Sequence, residues 1–68
     1  PIAYLLQQRM AYAAQQLEAG TPLVVIAEES GYESERVFAR AFKRWCGMPP
    51  SAYQRNAQLM RKEFAALR

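Results

Sequence analysis

Residues 26–53 read IAEESGYESERVFARAFKRWCGMPPSAY, and this stretch decides the fold. It parses as the end of one helix, a glycine turn at Gly31, a second helix, a stop at Gly47, and a proline start for a third. Ser34 stands where an N-cap hydroxyl satisfies a backbone N–H left over at a helix start, and Glu33 and Glu35 favour the positive end of the helix dipole. The helix from about Ser34 to Cys46 carries most of the signal. With Val37 set at 0° and a step of about 100° per residue, Val37, Ala41, Trp45, Phe38 and Phe42 fall within roughly 0–140°. Ala39, Lys43, Arg36 and Arg40 fall within roughly 200–300°. One face is therefore predicted to enter a core, and the other is basic.

Working outward, Thr21-Pro22 opens the preceding helix, with Thr21 as a cap and Pro22 at the first helical position, where its missing N–H costs nothing. That helix is predicted to end near Glu29 or Ser30, with Leu23, Ile26 and Ala27 pointing inward. Gly31 then turns the chain, in a left-handed conformation that other residues resist. Upstream, Ile2 to Ala19 is rich in Leu, Ala, Gln and Met, all good helix formers, and Gly20 stops it. One of its stripes holds Ile2, Leu6, Met10, Ala13 and Leu17, and a second, roughly opposite, holds Tyr4, Leu5 and Tyr12. A surface helix ordinarily has one apolar stripe, so two predict packing on both sides. Downstream, Pro49 or Pro50 opens a helix that continues to Leu67. There Tyr53, Ala57, Met60, Phe64 and Leu67 share one stripe, able to pack back on the domain, cover the first helix's second stripe, or pair with a second chain. Nothing reads as a strand, and the expected fold class is all-α.

With 68 residues there is room for one domain, which buries only roughly 60% of the surface its unfolded form exposes. The hydrophobic share of 51% with 22% charged residues is that of a soluble globule. No run approaches the ~20 apolar residues of a membrane span, no signal peptide is visible, and no membrane partner is expected. The chain starts at Pro1 without an initiator Met and is expected to be a fragment of a longer protein. A single cysteine, Cys46, makes no internal disulfide and fits a reducing, cytoplasmic location. It is read as a partly buried structural thiol. There is no histidine, so neither a metal cluster of the usual kind nor an imidazole base can be assembled. No catalytic residue, metal ligand or cofactor is assigned, and an enzyme is disfavoured.

Charge is unevenly spread. Residues 1–31 carry a net −2, residues 32–55 a net +3 and residues 56–68 a net +2. Such clustering points to a polyanionic partner more strongly than the total of +3. A basic helix face after a glycine turn is the layout of a helix-turn-helix unit facing double-stranded DNA, where an α-helix fits the major groove. Arg36 and Arg40, one turn apart, can each pair in bidentate fashion with guanine, and Glu35 can accept from a cytosine amine. Small Ala39 lets the helix lie close to the groove floor. Ser34, Lys43 and Arg44 are the candidate phosphate contacts. The plainer alternative is that these charges solvate an outer face and that Glu35 only complements the dipole. Arg9 is expected to pair with Glu28 or Glu29, and Trp45 and the phenylalanines to be core. Arg61, Lys62 and Arg68 are expected to face solvent or a DNA backbone.

Together, Ile26-Ala27, Gly31-Tyr32, Ser34, Phe38, Arg40, Phe42-Lys43, Gly47, Pro50 and Tyr53 resemble the DNA-binding domain of the AraC/XylS family of bacterial transcription regulators. Upstream, Tyr4-Leu5, Arg9-Met10, Ala13 and Leu17 look like that family's linker helix. The resemblance covers about residues 1–55. It implies a homeodomain-like, three-helix unit behind a long linker helix: residues 1–19 as linker and 21–55 as the second of two helix-turn-helix units, with residues 56–68, beyond the resemblance, read as a helical extension. It also implies a first unit upstream, seated on Tyr4, Leu5 and Tyr12, and a separate effector or dimerisation domain. Glu35, Arg36 and Arg40 would lie on the second recognition helix. Two positions depart from the family pattern. Pro49 replaces a Ser or Thr cap, and Gln54 then Arg55 follow the tyrosine where the family often has Arg directly, so a phosphate contact there is not carried over. Val24 and Val25 are apolar where polar residues are usual. A protein-interaction module touching RNA polymerase or a second subunit, through Val24 and Val25 or the C-terminal helix, is the alternative function.

Overall fold

The computed structural model describes residues 2–67, and Ile2 by its backbone alone. All regular structure among them is helical: α1 (Ile2–Glu18), α2 (Leu23–Glu29), α3 (Glu35–Cys46) and α4 (Pro50–Ala66). One core gathers Met10, Ala13, Ala14 and Leu17 from α1, Ile26 and Ala27 from α2, and Phe38 and Phe42 from α3. Leu23, Tyr32, Ala41, Cys46 and Tyr53 pack against it. The first stripe of α1 therefore turns into the core only from Met10 onward. Leu6, expected inside, is 42% exposed, because the shorter α2 and α3 gather around the C-terminal half of α1 and leave its first turns uncovered. The expectation for the Ile2 side chain lies outside the described residues. Tyr4, Leu5 and Tyr12, the second stripe, are exposed.

Both helix–helix corners before α3 use the same closing motif. After α1, Gly20 N–H donates to the Leu17 carbonyl and Thr21 N–H to that of Gln16, at 3.1 and 3.0 Å. After α2, Gly31 N–H donates to Glu28 and Tyr32 N–H to Ala27, at 3.1 and 3.0 Å. Each pair satisfies carbonyls that a helix end would otherwise orphan. The motif needs a left-handed residue, and Gly31 has φ +82° with open space where a Cβ would stand. Backbone conformation, rather than room, thus selects glycine there. This motif also corrects the reading of Thr21. Its backbone closes α1 and its hydroxyl bonds Gln16 Oε1 at 2.9 Å. Pro22, expected at the first helical position, is instead the N-cap of α2, which starts one residue later at Leu23, and it makes no side-chain cap bond.

Ser34 caps α3 as expected, its Oγ accepting from Val37 N–H at 3.2 Å. The core face of α3 is rotated from the sequence expectation. Phe38 and Phe42 are fully buried, but Val37 is 41% and Trp45 39% exposed. Ala39, expected on the outward face, is half-buried, like Ala41 and Cys46. Tyr32 meets Phe38 edge-on, with ring centroids 5.7 Å apart, and Tyr53 meets Phe42 edge-on at 5.4 Å. These aromatic contacts draw the Phe38–Phe42 line inward and leave Val37 and Trp45 at the rim. The rest of the expected face, Phe38, Ala41 and Phe42, does pack on the core.

Pro50 is fully buried at the start of α4, and Pro49, its N-cap, makes no side-chain cap bond. The first turn of α4 and the start of its second are tied back instead. Tyr53 Oη donates to Glu18 Oε2 at 2.7 Å, and Gln54 Nε2 donates to the carbonyls of Leu17 and Thr21, each at 3.2 Å. Past Ala57 the tail stripe leaves the body: Met60, Phe64 and Leu67 are all exposed. The ion pair expected for Arg9 does not form among the described residues. Arg9 is exposed, and Glu29 accepts from Tyr12 Oη at 3.3 Å.

Candidate nucleic-acid interface

Burial sets the outward direction of α3. Phe38 and Phe42 centre the core face near roughly 120° on the wheel that starts at Val37, so the opposite direction lies near roughly 300°, where Arg40 stands. Arg36 and Arg44 flank it by about 40° on either side, and Lys43 and Val37 by about 60°. All five are exposed. Arg36, Arg40 and Arg44 follow one another at i, i+4 and i+8, a row with about 6 Å of rise between members. None of these four cations makes a side-chain hydrogen bond among the described residues. Their five-donor or three-donor heads point to solvent, at the end of a helix that the two phenylalanines hold in place.

The other sequence candidates fall around this row. Glu35 is exposed at the leading end of α3, about 140° around the helix from Arg40, so it sits at the tip and not on the face that Arg36 and Arg40 share. Ser34 uses a lone pair of its Oγ for the Val37 amide, and its O–H keeps a donor to give outward. Val37 was missed by sequence reasoning. With Arg40, Ala41 and Arg44 it lines a shallow groove of about 240 Å³ on the outer face of α3. The signal was its place at the very edge of the apolar arc.

Gln54 has a structural role here. Its side chain reaches inward to two carbonyls at the α1–α2 corner. Its neighbour Tyr53 has its phenol pushed up to about 12, chiefly by donating to the Glu18 carboxylate and secondarily by burial. Tyr12 is raised as well, first by the charge of Glu29. Neither tyrosine belongs to the cationic row; both fasten α1 to its neighbours.

Residues 1–56 match the family model of a helix-turn-helix domain. An AraC-like protein of Streptomyces lividans is 44% identical over 57 residues, covering 82% of this chain and 19% of that relative. The chain belongs to the AraC family of helix-turn-helix domains. The RCS-specific HTH-type transcriptional activator RclR of Escherichia coli (strain K12) is 42% identical over 59 residues, 85% of this chain and 21% of its own length. The multiple antibiotic resistance protein MarA of the same organism is 35% identical over 52 residues, 75% of this chain and 41% of its own length. This AraC-family domain thus spans between about a fifth and two fifths of these curated relatives. No solved structure matches it. Its all-helical fold, with α2, the Gly31 turn and α3 in sequence, is that of the family. The family match ends at Asn56, one residue before α4 leaves the core. Among the described residues no helix is long and apolar enough to cross a membrane.

Proposed function

We propose that this domain is the sequence-reading module of a bacterial transcription regulator and that α3 enters the major groove of double-stranded DNA. The observation that carries the reading is the row of Arg36, Arg40, Lys43 and Arg44, exposed and without a side-chain hydrogen bond among the described residues, centred on Arg40 opposite two buried phenylalanines. Fixed donors without internal acceptors are what base edges and phosphates require. Arg40, at the centre of the face, pairs with guanine O6 and N7, and Arg36 reads the neighbouring position. Glu35, at the leading tip, accepts from a cytosine amine. Ser34, Lys43 and Arg44 hold the phosphates. Residues 1–19 serve as a linker helix, 21–55 as the second of two reading units, and 56–68 as an extension. The exposed Tyr4, Leu5 and Tyr12 seat the first unit, and an effector or dimerisation domain accounts for further length in the relatives. A cytoplasmic site of action follows from that task.

Duplexes selected from a random pool by the full chain supply the test. Arg40→Ala is expected to weaken the selected site by about 1–3 kcal/mol and to relax one base position. Lys43→Ala is expected to weaken all duplexes alike and to lower the slope of log affinity against log salt by about 1. Equal affinity of the Arg40→Ala variant and the parent for the selected site overturns the base-reading role.

A second reading is favoured by one observation. Met60, Phe64 and Leu67 are uncovered, and Val24 and Val25 are exposed on α2. Such surfaces suit RNA polymerase or a second subunit. Light scattering of the full chain across concentration tests the second-subunit form, which a concentration-independent monomer rejects.

A further inference from the structure

Val37 is an apolar, β-branched side chain standing on a cationic face. It is 41% exposed and is not among the side chains that pack on the core. A valine at an exposed helix position also lowers helix propensity, since its χ1 is restricted against the preceding turn. No core contact among the described residues explains the choice of residue. Its surroundings do offer an explanation. Val37 lies one turn from Arg40 at i, i+3, and the two line the same shallow groove with Ala41 and Arg44. It is the third residue of α3, in the half of a reading helix that approaches base edges.

Resting on the DNA-reading proposal above, we infer that Val37 is a specificity-determining residue that packs on the C5-methyl group of a thymine beside the guanine read by Arg40. The thymine methyl is the apolar feature of the major-groove floor, and an aliphatic side chain is its natural contact. The two valine methyl groups, fixed in one rotamer by the helix, offer a rigid apolar surface that an arginine or serine there would not. The two residues are separated by about 4.5 Å of helix rise, against about 3.4 Å between stacked bases. The thymine therefore falls one or two base steps from the guanine, toward the N-terminal end of α3. An apolar protein partner at this spot would have to desolvate Arg40 and Arg44 on either side, which disfavours it.

The test uses the full chain and its selected duplex. Each thymine is replaced singly by deoxyuridine, which removes only the methyl, and each guanine singly by 7-deazaguanine, which removes the N7 acceptor. One deoxyuridine position is expected to weaken parent binding about fourfold, the value of one buried methyl, and to leave Val37→Ala binding unchanged. That position should lie one or two steps from the guanine whose N7 matters to the parent and not to Arg40→Ala. Circular dichroism checks that Val37→Ala keeps its helix content, as a change to a better helix former at an exposed site should. Uniform indifference of the parent to deoxyuridine, or an equal penalty in Val37→Ala, overturns the assignment while leaving the role of Arg40 standing. If no sequence is enriched from the pool, the DNA-reading proposal itself fails and this one with it.

Discussion

The polar groups at the start of α4 and those along the outer face of α3 are put to opposite uses. Tyr53 and Gln54 spend their donors inside the molecule, on Glu18 and on the carbonyls of Leu17 and Thr21. Arg36, Arg40, Lys43 and Arg44 have no internal acceptor among the described residues. A polar side chain with an internal partner stabilises the fold, and one without is available to a ligand. The two groups should therefore separate cleanly when stability and binding are measured on the same variants.

The largest effect is expected where both regions depend on one support. Phe38→Ala removes a fully buried ring that carries the whole of α3 and should cost about 3–5 kcal/mol. For a domain this small that approaches the entire stability, so thermal melting and DNA binding should fail together. A folded Phe38→Ala variant that merely binds weakly would break the link between core and face. Next in size is Arg40→Ala, expected to lose about 1–3 kcal/mol of affinity for the selected duplex while its melting free energy stays within about 0.5 kcal/mol of the parent. Gln54→Ala should do the reverse. It leaves the Thr21 carbonyl without its donor, while the Leu17 carbonyl keeps the Gly20 N–H, and should cost about 1 kcal/mol in denaturant unfolding, with the salt slope of DNA binding unchanged. A loss of DNA affinity in Gln54→Ala with unfolding unchanged would show that its amide serves a phosphate rather than the α1–α2 corner.

Tyr53→Phe should give the smallest change, about 0.5 kcal/mol near neutral pH, because its bond to Glu18 is open to solvent. Its pH dependence is more telling. The folded phenol titrates at about 12, above its ordinary value of 10.0. The stabilisation is therefore fully present below pH 10 and is lost as pH rises toward 12. Unfolding midpoints of parent and Tyr53→Phe should converge across that window. A constant difference through pH 12 would mean that the Glu18 bond is not what Tyr53 contributes.

Most of the helix plan was legible because its signals are local. Gly20, Gly31 and Gly47 mark the three helix ends, Ser34 caps α3, and Pro50 opens α4, each within a residue or two of the expected boundary. Inferences that depend on a neighbour fared differently. Thr21 looked like a cap, but the turn that closes α1 had already claimed it. Val37 and Ala39 were assigned to opposite faces, and the aromatic contacts of Tyr32 and Tyr53 turned the helix so that Val37 is open and Ala39 half-buried. The pair expected for Arg9 with Glu28 or Glu29 is absent among the described residues, and Glu29 accepts from Tyr12. The Gln54 clamp had no signal in the chain, since its acceptors are backbone carbonyls more than thirty positions away.

By itself, then, the sequence determined that this protein is four helices with one strongly two-sided member, since propensity, capping and periodicity act over a few residues. Its glycine turn, apolar positions and basic clustering also carried the family resemblance. Only the tertiary structure decided the azimuth of α3, which sets Arg40 at the centre of the open face and Val37 beside it. That azimuth is fixed by which rings pack across the helix boundaries, and side-chain packing between distant segments leaves no periodicity for a sequence to show.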